Sequence, residues 1–383
     1  MRSVTRLWRG FAFAAIIGLV CALVTTSPAN ALGARLPGWR SASSMGTPRT
    51  EGATSTLLRD GTVLVAGGRD ATGRFLNSAE IYDPATDRWT PTGSMSQNRG
   101  VGHTATLLND GRVLVAGGQC ACVSTTNSVE LFDPSTGSWS NAAPMHANRY
   151  VHTATLLADG RVLVAGGYGA SLSGPRTDPR SAEIYDAGTN SWSDAGTMSV
   201  GRYAAQATLL NDGRVLVAGG ADDAGAGITA VDVFAPATMS WSPTSPLLVG
   251  RQDHQQFLLP NGDVMAIGGW APDGATSTVE VFKPALGQWV PGPPLLTASW
   301  GATAGMLPGG KIILVGTPDG QTPRRATQIY LPNLHAWVFA GQTSAARNDP
   351  TGLALADGRF LLAGGYDDCF PECVTASTEI FST

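Results

Sequence analysis

The chain has 383 residues, with 25 Lys and Arg against 29 Asp and Glu and a formal net charge of −4. Its 48 glycines and 24 prolines interrupt helices too often for a helical repeat, and no apolar pattern of helical period follows the first 31 residues. No Lys/Arg block survives in that part either, so binding of nucleic acid through phosphate neutralisation is not expected.

Residues 1–31 stand apart. Arg2, Arg6 and Arg9 precede an apolar run from Phe11 to Val24, and Ala29-Asn30-Ala31 follows, the order of a secretory leader cleaved after Ala31. The apolar run is shorter than the roughly 20 residues of a membrane span, and Cys21 follows Val20 where a lipoprotein signal would place a small residue. The expectation is a secreted or periplasmic protein with no membrane span in the mature chain and one domain over 32–383. Without the leader the chain holds 22 basic and 29 acidic residues, and the mature charge is about −7.

From Trp39 onward the chain repeats. Trp39, Trp89, Trp139, Trp192, Trp241, Trp289 and Trp337 are spaced about 50 residues apart, a period of solenoids or propellers. Residues 103–140 are the cleanest copy. Short runs rich in Val, Leu, Thr and aromatics are bounded there by Gly, Pro, Asn or Asp, predicting four antiparallel strands, a to d. Asp60-Gly61, Asp110-Gly111, Asp159-Gly160, Asp212-Gly213, Asn261-Gly262, Gly309-Gly310 and Asp357-Gly358 suit tight a–b hairpins, which need positive φ. Strand b, as in Val113–Ala116, is apolar on both faces and predicts a sheet covered on both sides. Trp39 lacks the strands that precede every other Trp, and these recur in Phe360 to Phe381. The termini are therefore expected to complete one unit between them.

Gly-Gly closes strand b at 67-68, 117-118, 166-167, 219-220, 268-269 and 364-365, and an aromatic residue lies seven positions before each Trp from 89 onward. On these residues the chain resembles the kelch-repeat β-propellers. The resemblance covers residues 36–383 and implies an all-β, seven-bladed propeller of four-stranded antiparallel blades. Its ring is closed by an N-terminal strand d in the last blade. Unit 6 departs, with Gly316-Thr317 in place of Gly-Gly and Ser299 in place of an arginine.

Alternating strand direction puts the a–b and c–d turns on one face and the b–c and d–a connections on the other. The second set varies more in length and content, and variable loops on a rigid scaffold are where binding chemistry sits. That face receives Arg49, Arg99, Arg149, Arg202, Arg251 and Arg347. The sequence leaves two roles open for them: a cationic rim whose forked donors suit carboxylates and phosphates, or structural pairs with acids between blades. His103, His152 and His254 open strand a and have either a structural role or, beside Asp253, Glu51 or Asp349, an acid–base one. Tyr150, Tyr203, Trp270 and Trp300 add aromatic surface for stacking.

The leading expectation is a binding propeller that takes an acidic peptide, protein loop or glycan through Arg49, Arg99, Arg149, Arg202, Arg251, Arg347, Tyr150, Tyr203, Trp300, His152 and His254. No metal and no cofactor are expected. The alternative is a sugar-active enzyme, by resemblance to kelch proteins that interconvert sialic-acid anomers. Less favoured is a copper-radical oxidase like galactose oxidase, whose chemistry needs Tyr and His ligands and a Tyr–Cys link. Tyr150, Tyr203, His152 and His254 are the residues such a centre would draw on. The cysteines of the mature chain, Cys120, Cys122, Cys369 and Cys373, are even in number and favour disulfides in an exported protein. Cys369 with Cys373 is the expected bridge, while a bridge from Cys120 to Cys122 would be strained.

Overall fold

The structure is a computed structural model that describes residues 37–120, 125–169, 178–316, 325–366 and 373–383. The expected leader lies outside these residues, as do Cys122 and Cys369, and with them the cysteine pairing.

Seven four-stranded antiparallel sheets follow one another along the chain. Blade 1 runs through strands a to d at Thr54–Leu57, Val63–Ala66, Ala79–Asp83 and Arg88–Pro91. Blades 2 to 6 repeat it, their strands a starting at Thr104, Thr153, Gln206, Gln255 and Thr303. Blade 7 takes strands a to c from Thr351–Ala354, Phe360–Ala363 and Thr378–Ser382, and strand d from Gly38–Ala42. Gly38 is in register with Ser382 and Ala42 with Thr378, so the first and last described strands hydrogen-bond to each other. Trp39 anchors that closure. Its indole N–H donates to Thr327 Oγ1 of blade 6 at 2.8 Å, and its ring lies 5.4 Å from that of Phe381.

Strand b is buried along its whole length in blades 1 to 5 and in blade 7, as its unbroken apolar run requires. The core lies between blades. Leu58, Leu64 and Ala66 of blade 1 pack with Val113, Val115 and Phe132 of blade 2, and Met45, Val63 and Val65 pack with Leu355, Leu361 and Ile380 across the closing seam. Each such side chain contributes roughly 1.5–3 kcal/mol on burial, so a blade is stable only in the company of its neighbours.

The repeated Trp belongs to the same seams. Tyr82 is in register with Trp89, their rings 5.0 Å apart, and the Trp89 indole N–H donates to Ser43 O of the preceding strand d at 2.8 Å. Trp139, Trp192 and Trp241 donate in the same way to Gly93, Ala143 and Ala195. The Gly pair has a specific cause as well. Gly68 N–H donates to Arg99 O of the next blade at 2.9 Å, and Gly365 N–H donates to Arg49 O at 3.0 Å across the closure. At Gly67, with φ +69, a Cβ would stand 2.7 Å from that Arg99 oxygen. Only a residue without Cβ admits both the left-handed conformation and the approach.

Candidate functional site

Six of the seven d–a connections carry an arginine, and it points inward rather than onto the face. Arg49 donates to Gly67 O and Ser78 O, each at 3.0 Å, and to Glu80 Oε1 at 2.8 Å. The pattern recurs in Arg99–Glu130 at 2.9 Å, Arg149–Glu183 at 3.0 Å, Arg202–Asp232, Arg251–Glu280 at 2.6 Å and Arg347–Glu379 at 3.0 Å. All six arginines are at most 2% exposed. The acid has a second duty. Glu80 also accepts from the backbone N–H groups of Gly46 and Thr47 at 2.6 and 3.0 Å, and Glu130, Glu183, Glu280 and Glu379 hold the equivalent connections.

The arginine and its acid thus clamp the incoming d–a connection onto strand c of its blade. Burial disfavours the charge of each guanidinium, and the paired carboxylate opposes that effect. This corrects the exposed cationic rim as a reading of Arg49, Arg99, Arg149, Arg202, Arg251 and Arg347. Their terminal N–H groups already donate to carbonyls and a carboxylate, and stripping a buried charge of its partner is costly.

The histidines are interior too. His103 Nδ1–H donates to Gly100 O at 3.0 Å, which leaves Nε2 to accept from Thr54 Oγ1 of the preceding blade at 3.1 Å. His152 Nε2 shares the equivalent bond with Thr104 Oγ1 at 3.0 Å. His254 is fully buried, with the Gln256 side chain beside its ring. Burial lowers their pKa values to about 4 for His103 and about 3 for His152 and His254, so all three are neutral seam residues at ordinary pH. The placement of His152 and His254 on a ligand-facing rim is corrected accordingly.

The chain turns around the axial mouth at the residue two positions after Arg49, Arg149, Arg202, Arg251 and Arg347. Glu51, Val151, Ala204, Asp253 and Asp349 all have positive φ, between 35° and 52°, and Gly102 and Gly301 fill the matching points of blades 2 and 6. The left-handed backbone turns their amides around the mouth of the ring. Val151 N–H donates to Gly102 O, Ala204 N–H to Val151 O, Asp253 N–H to Ala204 O and Gly301 N–H to Asp253 O, over 2.9 to 3.4 Å. A left-handed conformation is an outlier for β-branched Val151, and this bond to the next blade is what over-determines it.

Inside that girdle lies a cavity of about 500 Å³, lined among others by Glu51, Asp253, Asp349, Gln206, Gln255 and Thr303. Glu51 is paired with Arg69 at 2.9 Å. Burial raises the pKa of the Asp253 carboxyl above the usual range. Carboxyl groups of three blades thus border the mouth.

Aromatic side chains flank it on one side. Tyr168 bridges Tyr150 and Tyr203, with ring centroids 5.8 and 5.9 Å away in near-perpendicular arrangements. Trp270 and Trp300 meet edge to face at 5.2 Å and remain 41% and 37% exposed. Of the residues expected at a site, Tyr150, Tyr203 and Trp300 are thus on the face, whereas the arginines and histidines are beneath it. Tyr168, Gln206 and Gln255 join the site without having been singled out. The residue after Gly-Gly, which is where Tyr168 and Trp270 sit, was the sequence signal for the first.

A copper-radical centre does not fit these residues. His152 and His254 open strand a of blades 3 and 5, which are not neighbours, and no group of three or more His, Cys, Asp or Glu side chains that could hold a metal ion is present among the described residues.

The family model for the attractin/LZTR1 β-propeller matches residues 35–227, and that for the Kelch motif matches residues 259–296. An F-box/kelch-repeat protein of Arabidopsis thaliana is 50% identical over 52 residues, which are 13% of each chain. Among solved structures, a fungal alcohol oxidase of the AA5 family in complex with copper superimposes with a TM-score of 0.72 over 91% of this chain and 76% of its own, at 17% identity. Likeness at that identity concerns the fold alone. With half of the chain matched by one propeller family and the same seven-bladed ring built from its Gly-Gly and Trp repeats, the chain belongs to the kelch-repeat β-propeller family.

Proposed function

We propose that this protein is an exported binding propeller that engages a partner macromolecule on the b–c/d–a face, over the axial mouth. The observation that carries this reading is the cavity of about 500 Å³ at the centre of that face, bordered by Glu51, Asp253 and Asp349 and flanked by the exposed Trp270–Trp300 pair. Large exposed aromatics on a rigid ring are the residues that anchor interfaces. The acidic peptide or sugar acid expected from an arginine rim is not favoured by this surface, since the arginines are neutralised below it.

The reading is tested by comparing variants of the two faces against peptide and glycan arrays. Trp270→Ala with Trp300→Ala should remove binding, and Arg59→Ala with Arg112→Ala on the a–b face should leave it intact. Loss in the second pair alone would overturn the assignment. Asp253 favours a second reading, a sugar-active enzyme, because a carboxyl whose pKa burial raises is suited to general acid catalysis. Anomer exchange by NMR on sialic and uronic acids tests it, and a rate unchanged by Asp253→Asn removes it.

A further inference from the structure

The binding face is not symmetric, and the asymmetry identifies the chemistry of its partner. In blades 4 and 5 the b–c and d–a connections comprise residues 219–230, 244–254 and 268–278. They contain four carboxylates, Asp222, Asp223, Asp253 and Asp273, and a single Lys or Arg, Arg251. Arg251 is fully buried against Glu280, and the connection 292–302 that follows into blade 6 holds no charged residue. The charged groups that these four connections leave at the surface are therefore all acidic. Tyr203 lies inside the field, where Asp222 and Asp253 add to burial in raising its hydroxyl pKa.

The same sector exposes apolar side chains that the other blades do not. Leu248 and Leu296 occupy one repeat position, directly after the buried core residue of the d–a connection, and are 56% and 55% exposed. The matching residues of the connections into blades 1, 2, 3, 4 and 7 are Gly46, Ser96, His146, Ser199 and Ser344. The fold does not require leucine there, because the structural duty of the position is its backbone N–H. Leu248 donates that N–H to Glu280 and Leu296 donates it to Gln328, just as Ser96 donates to Glu130. Trp270 is raised on a two-stranded ribbon, Trp270–Ala271 with Gly274–Ala275, and its ring meets that of Trp300. Exposed leucines and a Trp pair carried by the same connections as four carboxylates combine apolar anchors with a field that attracts cations, and the aromatic faces add cation–π attraction.

We infer that the connections 219–230, 244–254, 268–278 and 292–302 form a docking surface for a basic, apolar-anchored polypeptide segment, one that sets Lys or Arg side chains over Asp253 and the axial mouth and apolar side chains against Leu248, Leu296 and Trp300. This inference rests on the loop-face reading above and names the partner within it. The charge of the face selects that occupant, because an acidic segment would be repelled by four carboxylates that no exposed Lys or Arg of these connections offsets.

The test uses the full chain and three labelled probes: a short Lys/Leu peptide, its Glu-for-Lys counterpart, and a neutral oligosaccharide. The Lys/Leu peptide should bind, weaken as salt rises, and lose about tenfold or more in affinity both with Asp223→Asn plus Asp253→Asn and, separately, with Leu248→Ser plus Leu296→Ser. Asp60→Asn plus Asp110→Asn on the opposite face should change nothing, and thermal unfolding of each variant reports that it is folded. Equal or tighter binding of the Glu peptide overturns the inference, as does binding of the Lys peptide that the loop-face variants leave unchanged. Oligosaccharide binding lost in Trp270→Ala plus Trp300→Ala overturns the polypeptide partner but leaves the loop-face function standing. Binding of any probe that only the opposite-face variants remove overturns both.

Discussion

Ser299 and Gln328 occupy, in blade 6, the two positions that hold a buried ion pair in the six other blades. Gln328 still accepts the N–H of Leu296 at 2.7 Å and donates to Thr297 Oγ1 at 3.0 Å, so the clamp on the d–a connection survives as a neutral one. Cation and anion are missing together, which is what burial demands: removing one member alone leaves an uncompensated charge.

That relationship predicts the behaviour of the other blades. Arg149→Ala should destabilise the protein by about 3–5 kcal/mol, because it strands Glu183 in the interior. Arg149→Ser combined with Glu183→Gln, the pattern of blade 6, should cost less than Arg149→Ala alone. Urea unfolding of the two variants checks the order, and the reverse order would show that the pair is valued for its charge rather than for its clamp.

Acid should loosen the seams. The three histidines are held neutral, with folded pKa values of about 4 for His103 and about 3 for His152 and His254, below the ordinary 6.5. The unfolded chain therefore binds these protons first. Their contribution is fully present above pH 6.5 and is lost as the pH falls towards the folded values, up to about 3 kcal/mol for His103 and about 5 kcal/mol for His152 and His254. Melting temperatures followed from about pH 7 to about pH 4 should fall more steeply for the wild type than for His152→Asn, a comparison that removes the background titration of the carboxylates.

Two glycines with similar backbone angles should respond differently. Gly61 has φ +87 and open space where a Cβ would go, whereas the same atom at Gly67 would meet Arg99 O at 2.7 Å. Gly61→Ala is expected to cost about 1 kcal/mol of backbone strain, and Gly67→Ala about 3 kcal/mol or more, since the seam must open as well. Chemical denaturation of both variants distinguishes strain from collision.

The ring closure is testable at Trp39. Trp39→Ala removes its packing on Phe360 and Phe381 and the bond to Thr327. It should cost about 3–5 kcal/mol as a large-to-small change, with hydrogen-exchange protection lost first in Thr378–Ser382. Trp300→Ala, an exposed aromatic, should stay within about 0.5 kcal/mol of wild type.

The repeat was legible because its residues answer local demands. Asp-Gly turns need positive φ, strand b needs an apolar residue at every position, and the Trp returns wherever a seam returns, so the blades, the shared last blade and the two faces follow from order along the chain. Whether a repeated arginine points out to solvent or in towards an acid 29 to 34 residues later could not be read that way. Both roles place Arg at the same repeat position, and the choice depends on a strand c carboxylate and two backbone carbonyls that only folding brings together. The same holds for the axial mouth. Glu51, Asp253 and Asp349 were visible as acids beside strand a, but their convergence on one cavity needs the left-handed turn at each of them and the closure of the ring. Sequence thus determined the scaffold through local propensity and periodicity, while tertiary structure decided which charges reach the axial face, because each arginine of the series is buried against a strand c acid whereas Glu51, Asp253 and Asp349 border the mouth.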